Sequence, residues 1–154
     1  MKKIIAAVLV FISRFNILPF NLSPLGTFGF VSQNIFLYFA VIVIFDIIKS
    51  GFYQGFIFTY LGFLAYFVFG KLAKKNWKRQ AALLPLASFT FFLVSNFGVW
   101  LYWYPHTLND LIACYALALP FYKNTLMGDF LFGYGWLVVK NFKAISWQKE
   151  AVKV

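Results

Sequence analysis

Residues 80–103, QAALLPLASFTFFLVSNFGVWLYW, form an apolar run without a charged side chain. A helix needs about 20 mostly apolar residues to cross about 30 Å of hydrocarbon, so this run predicts a transmembrane helix. Its second half carries an amide among aromatic rings. Asn96, Trp100 and Trp103 are spaced i, i+4 and i+7, which places them on one face of the helix.

The rest of the chain has the same character. It is 62% hydrophobic and 12% charged, whereas soluble domains are about 45–50% apolar and about 25% charged. We therefore predict an all-α membrane protein, a single transmembrane domain over residues 1–154 built as a bundle of about six helices. Further long apolar runs cover 3–18, 34–48, 52–70 and 124–139.

Two shorter segments, 22–32 and 108–121, are predicted to lie inside the bundle. Irregular backbone at membrane depth is tolerated only within protein or around a cavity. The N-terminal run is expected to stay as a first helix, because no small-residue cleavage site follows it.

The basic residues predict the orientation. The net charge is +10, and the densest basic segment is KLAKKNWKR, residues 71–79. Basic loops stay on the cytoplasmic side, and so should the lysines of both termini. Six crossings satisfy this arrangement in the cytoplasmic membrane of a bacterium. Because no long polar segment is present, the charge indicates contact with the lipid bilayer and not with nucleic acid.

A stripe of small residues follows the first run. Its members recur at every third position and are Ser23, Gly26, Gly29 and Ser32. Small side chains let helices approach closely, so we expect this stripe to pack against a neighbouring helix of the bundle or of a partner protein.

Polar residues in the apolar runs leave alternatives open. Asn96 is either an interhelical hydrogen-bonding group or part of a solute site, and the aromatic rings beside it form either an interfacial belt or the wall of that site. Asp46 is either paired locally with Lys49 or ligand-facing. Asp129 either faces a cavity or lies in the first turn of its helix. Arg14 either lies at headgroup level or pairs with Asp46 or Asp129.

Little in the sequence indicates catalysis. Only four acidic residues are present, and no Gly-rich phosphate loop, H-E-x-x-H or G-x-S-x-G motif occurs. His106 and Asp110 flank a short loop without a cluster that would bind a metal, and the single Cys114 cannot form an internal disulfide. We expect no metal, no cofactor and no enzymatic activity. A lipid or isoprenoid enzyme using Asp46, Asp110 or Asp129 is the weakest alternative.

Two blocks carry a resemblance: PFNLSPLGTFGF at 19–30 and FFLVSNFGVWLYWYPHTLNDLIACYALALPFYKNTLMGD at 91–129. They resemble an uncharacterised family of small bacterial integral membrane proteins. The layout is more distantly similar to the S components of energy-coupling factor (ECF) transporters, with LPFYKNTLMGDFLF resembling the stretch that leads into their last helix. The chain lacks the lysine that such proteins carry shortly after this aspartate.

The resemblance implies a subunit that binds a vitamin or similar small solute for uptake, energised by a transmembrane coupling subunit and ATPases. Residues 95–115 would then line a cavity open to the outside. The implied binding residues are Asn96, Trp100, Tyr104, His106, Asn109, Tyr115 and Asp129. The alternative is a non-transporting membrane scaffold or assembly partner, in which the polar residues join helices together.

Overall fold

The computed structural model describes residues 2–15, 17–19, 21–32, 34–49, 51–74 and 76–141. All regular secondary structure in these ranges is helical, which confirms the all-α part of the predicted fold class. The helices are α1 (Lys2–Ser13), α2 (Leu25–Val31), α3 (Ile35–Lys49), α4 (Phe56–Ala73), α5 (Trp77–Trp103) and α6 (Leu108–Gly128). A π-helical turn (Asp129–Tyr134) continues α6, and the helix resumes over 135–141.

The hairpin of α4 and α5 forms the frame of the bundle. Gly62 of α4 lies against Phe91, and Gly98 of α5 lies against Phe58, so the two helices touch along their lengths. They contain 18 and 27 residues, and within the described ranges they are the two helices long and apolar enough to cross a membrane. With 12, 7 and 15 residues, α1, α2 and α3 fall short of the about 20 residues that a crossing needs.

The short helix α2 lies buried between α3 and α4. Every residue from Leu25 to Phe30 is buried. Glycines make this possible: Gly29 faces the ring of Tyr38, and a Cβ on Gly70 of α4 would overlap the carbonyl oxygen of Phe30. Side chains of this same chain therefore occupy the space beside Gly26 and Gly29. The two serines of the predicted stripe instead accept hydrogen bonds from nearby backbone N–H groups at either end of α2.

The first two predicted helices are shorter than expected. The run 3–18 ends at Ser13, because the N–H groups of Arg14 and Phe15 donate to carbonyls three residues back and so tighten the last turn. Pro19, which lacks an N–H donor, then lies in the irregular connection. As a result the predicted segment 22–32 is helical only over α2.

The predicted break at Pro120 does not occur. Segments 108–121 and 124–139 were expected to be separate, but α6 runs through Pro120 and continues through the π turn to residue 141. Proline removes one backbone hydrogen bond and crowds the preceding turn. That local cost is smaller than the cost of breaking the helix, since a break leaves up to four N–H and four C=O groups without helical partners.

The bundle is apolar outside and partly polar inside. Large apolar side chains are exposed on every long helix, for example Ile4 at 61%, Phe36 at 84% and Leu117 at 66%. The buried residues include Thr27, Gln80, Ser88 and Asp129. Most of the buried residues are apolar as well, so it is the extent of the exposed apolar surface that departs from a water-soluble domain.

Basic side chains gather at one end of the bundle, which we call the basic end. Lys71, Lys74, Lys78 and Arg79 surround the turn between α4 and α5. The Lys140 ammonium donates to Gln80 Oε1 at 3.4 Å, and Gln80 Nε2 donates to the Lys74 carbonyl at 2.6 Å. The last described helical turn therefore lies beside that loop. Arg14 and the α3–α4 and α5–α6 connections lie at the opposite end.

We predict that Gly70→Ala lowers the free energy of unfolding by about 1–3 kcal/mol, because the added methyl group has no room beside the Phe30 backbone. Gly135→Ala is the matched control, since a Cβ there meets nothing within 4 Å. That variant should be unchanged or up to about 1 kcal/mol more stable. Unfolding of the detergent-solubilised protein measures both, and equal stability of the two variants would contradict the α2–α4 packing.

Candidate functional site

Two adjoining cavities lie between the helices and share Asn21, Phe91 and Thr125 in their walls. The Asp129 cavity, lined also by Arg14 and Tyr66, has a volume of about 210 Å³. The Asn96 cavity, between α5 and α6, has a volume of about 440 Å³. The first carries the charged groups Arg14 and Asp129 in its wall, and the second is lined largely by aromatic and other apolar side chains.

Asp129 is the charged group at the centre of the bundle. Only 1% of its surface is exposed, and the Tyr66 hydroxyl donates to its Oδ2 at 2.5 Å. The other oxygen lies where a Cβ on Gly26 would approach to 2.7 Å, so glycine is required there. The alternative that Asp129 lies in the first turn of its helix is wrong, because that helix begins at Leu108.

Arg14 pairs with Asp46, which decides among its three predicted positions. The guanidinium lies 3.5 Å from Asp46 Oδ1 and 3.9 Å from the centre of the Phe45 ring. Asp46 also accepts a hydrogen bond from the Tyr60 hydroxyl at 2.9 Å, and its partner is thus Arg14 and not the predicted Lys49. The Nη1 atom of Arg14 is buried without a hydrogen-bond partner. Because Arg14 lines the Asp129 cavity, it is a donor available to a bound molecule.

The Asn96 cavity combines an amide with an aromatic wall. Asn96 Nδ2 donates to the Phe92 carbonyl in its own helix at 2.7 Å, which leaves its side-chain oxygen as an acceptor. The rings of Phe92 and Tyr122 stack with their centres 4.5 Å apart and form part of the wall. Tyr104 lies on the same cavity. This combination suits a molecule with a flat apolar part and a polar edge.

Three of the seven predicted binding residues, Asn96, Tyr104 and Asp129, line these cavities, and four lie outside them. The Trp100 ring contacts Phe97 and His106, and His106 is exposed with its Nε2 2.7 Å from the Leu101 carbonyl. Trp100 belongs to the last turn of α5, and His106 lies in the connection that follows it. The remaining two are the exposed Asn109 and Tyr115, whose hydroxyl donates to the Leu93 carbonyl.

Asp110 caps the N-terminus of α6. Thr107 and Asp110 form a capping box, in which each side chain bonds the backbone N–H of the other. Such reciprocal bonds satisfy two N–H groups that a helix start otherwise leaves unpaired.

Several site residues were not predicted. Thr125 lies one helical turn before Asp129 and three residues after Tyr122. This spacing places the three residues on one face of a helix, so the sequence could have predicted Thr125. Asn21 has a positive φ of 63°, and its place in both cavities depends on an irregular loop without such a signal. In the described ranges no three His, Cys, Asp or Glu side chains cluster as metal ligands.

We predict that Arg14→Met and Asp46→Leu each destabilise the protein by about 2–3 kcal/mol, because each leaves a mostly buried charge without its partner. The double variant should lose less than the sum of the two, by about 1–2 kcal/mol. Unfolding in detergent measures this cycle. Strict additivity of the two losses would show that the pair does not stabilise the fold.

Comparisons with known proteins give one match. No curated protein and no solved structure is significantly similar to the chain. A family model described as "Family of unknown function (DUF6580)" matches residues 2–151. The prediction of an uncharacterised family is thereby confirmed. Because the match covers nearly the whole length, the chain belongs to the DUF6580 family of unknown function.

Proposed function

We propose that this protein is a multi-pass membrane protein that binds a small solute between its helices. In this proposal it is the substrate-binding subunit of an uptake system, similar to the S component of an ECF transporter. The observation that carries the proposal is the pair of adjoining cavities, in which a buried carboxylate and a guanidinium lie near an aromatic wall.

The distribution of side chains supports a position in the membrane. The exposed surfaces of α1, α3 and α6 carry Ile, Leu, Val and Phe, whereas carboxylate, hydroxyl and amide groups are buried. Lipid cannot hydrate a polar group, so polar side chains of membrane proteins face the interior of the bundle. In this proposal α2 and the described residues 21–24 before it count as part of one composite pass, which brings the total to six.

The position of the basic residues supports an orientation. With six passes, the start of α1, the α4–α5 turn and the last described helical turn lie at the basic end. The positive-inside rule would place this end in the cytoplasm of a bacterial cell, and the Asn96 cavity would then open toward the outside.

The cavity walls suggest the class of solute. Phe92 and Tyr122 offer a flat apolar surface, whereas Arg14 and Asp129 offer a donor and an acceptor of opposite charge. A vitamin-sized molecule with a ring at one end and ionic or hydrogen-bonding groups at the other would use both. Since the chain has no phosphate-binding loop, the energy for uptake would come from a transmembrane coupling subunit and ATPases. We propose no catalytic role.

A non-transporting scaffold is the second candidate. The exposed face of α6, which includes Ala113, Ala116 and Lys123, favours it, since this face is available to another membrane protein. The two functions differ in what accompanies the purified protein: a small molecule in the first case and a polypeptide alone in the second.

We predict opposite labelling of two single cysteines introduced into a Cys114→Ala background. Both Gln54 and Asn76 are exposed, the first in the α3–α4 connection and the second in the α4–α5 turn. On intact cells a membrane-impermeant maleimide should label Gln54→Cys, whereas Asn76→Cys should react only after permeabilisation. Labelling of both positions from outside, or the reverse pattern, would refute the proposed orientation.

We predict that native mass spectrometry of the gently solubilised protein detects a bound small molecule. Asn96→Leu should lower the retained fraction about tenfold, the loss expected when one contact worth about 1.4 kcal/mol disappears.

The control for this experiment is Asn141→Leu. The Asn141 amide donates to the Leu137 carbonyl in the same i to i−4 geometry, but it lines neither cavity. Equal retention in both variants would exclude the Asn96 cavity as the binding site. A polypeptide without a small molecule would favour the scaffold.

A further inference from the structure

Four oxygen-bearing side chains from four helical elements meet at the centre of the bundle. They are Thr27 of α2, Tyr66 of α4, Ser88 of α5 and Asp129 at the start of the π turn. Thr27 is 6% exposed, and the other three are 0–1% exposed. The Tyr66 hydroxyl donates to the carboxylate, and the hydroxyls of Thr27 and Ser88 lie next to it.

The hydroxyls of Thr27 and Ser88 differ from the other helical serine and threonine hydroxyls that the structure describes. Four of those donate to a carbonyl three or four residues back in their own helix, namely Ser13, Thr90, Ser95 and Thr125, and the fifth, Thr59, accepts a hydrogen bond from the Tyr53 hydroxyl. Thr27 Oγ1 and Ser88 Oγ are buried without a partner of good hydrogen-bond geometry. Both hydroxyls lie beside the Asp129 carboxylate without a well-directed bond to it, so their oxygens can accept a further partner. A buried hydroxyl left unpaired costs about 1–3 kcal/mol.

The carboxylate has no charge partner in the described part of the chain. Its nearest candidate, Arg14, lines the same cavity but is paired with Asp46. A carboxylate this deeply buried is costly unless something neutralises it. A monovalent cation would cancel its charge, whereas a divalent cation would leave one positive charge buried.

Two glycines lie next to these oxygens, where a larger residue would press on them. A Cβ on Gly26 would approach Asp129 Oδ1 to 2.7 Å, and a Cβ on Gly133 would approach Thr27 Oγ1 to 3.1 Å. The π turn begins at Asp129 itself. Such turns are frequent at functional sites, and interrupted helices coordinate Na⁺ or H⁺ in membrane transporters.

We propose that Asp129, Ser88 and Thr27, together with the Tyr66 oxygen, bind a monovalent cation, Na⁺ in preference to K⁺. Hard cations prefer carboxylate and other oxygen ligands, and a small ion suits oxygens held this close by packed helices. Because Asp129 and Tyr66 also line the Asp129 cavity, the bound ion sets the charge on the wall that a solute would meet. That last coupling rests on the proposed function, whereas the cation site does not.

Thermal unfolding of the full-length protein in detergent tests the site without any solute. At one alkaline pH and equal ionic strength, NaCl should raise Tm above the values in KCl and choline chloride, and the rise should grow with Na⁺ concentration. Ser88→Ala and Thr27→Val should abolish the Na⁺-specific shift. Thr90→Val is the matched control, because its hydroxyl bonds its own helix, and it should keep the full shift.

Asp129→Asn provides the test that does not depend on the hydroxyl variants folding. It should be insensitive to Na⁺ and, in choline chloride, more stable than the wild type, because it removes the uncompensated charge. Equal Tm of the wild type in NaCl and choline chloride overturns the proposal. So does a Na⁺ shift that persists in Asp129→Asn. Stabilisation by lower pH without any cation selectivity would also overturn it, since a proton would then neutralise the carboxylate.

The outcome can be separated from that of the proposed function. A retained solute without a Na⁺ effect overturns only the cation site. A Na⁺ effect without a retained solute supports the cation site and weighs against uptake.

Discussion

The close approach of α2 to α4 is the constraint on which the rest of this structure depends. Gly70 removes the side chain that would collide with the backbone of Phe30, and Gly26 removes the one that would collide with Tyr66 and Asp129. A seven-residue helix can therefore lie wholly inside the bundle. Its burial brings Thr27 to the central carboxylate and closes one wall of the Asp129 cavity. Larger side chains at these glycines would separate the helices and open that wall.

Many partly or fully buried polar side chains of the described residues have a hydrogen-bond or ion-pair partner. Most helical hydroxyls bond carbonyls of their own helix, Arg14 pairs with Asp46, and Lys140 bonds Gln80 at the basic end. The exceptions among the described residues are the hydroxyls of Thr27 and Ser88 beside Asp129, Nη1 of Arg14 and Nε1 of Trp100. Unsatisfied polar atoms are rare in folded proteins and often mark a binding site. The Arg14 nitrogen supports the proposed solute site, and the two hydroxyls support the proposed cation site.

The long apolar runs predicted their helices well, because length and continuous hydrophobicity are sufficient signals. The run 80–103 became α5, and 34–48 became α3 with a shift of one residue. The prediction was wrong where tertiary structure outweighed a local signal. Pro120 did not end α6, because a broken helix would leave more backbone groups unpaired than the single hydrogen bond that proline removes. The prediction also failed at 14–18, where the first helix ended early. Arg14 and Asp46 could not be paired beforehand, because they are 32 positions apart and charge alone did not select the partner.

The sequence by itself determined the all-helical class, the apolar character, the extent of α5 and the concentration of basic residues in one loop. Each of these properties follows from the residues of one segment at a time, so none of them depends on which helices are in contact. Only the tertiary structure decided that Asp129, Tyr66, Ser88 and Thr27 meet, that Asn96 and Asp129 line adjoining cavities, and that Trp100 and His106 do not. Those outcomes depend on how each helix is rotated about its axis and on glycine contacts between distant segments. Contacts of this kind produce no repeating pattern in the sequence from which they could be predicted.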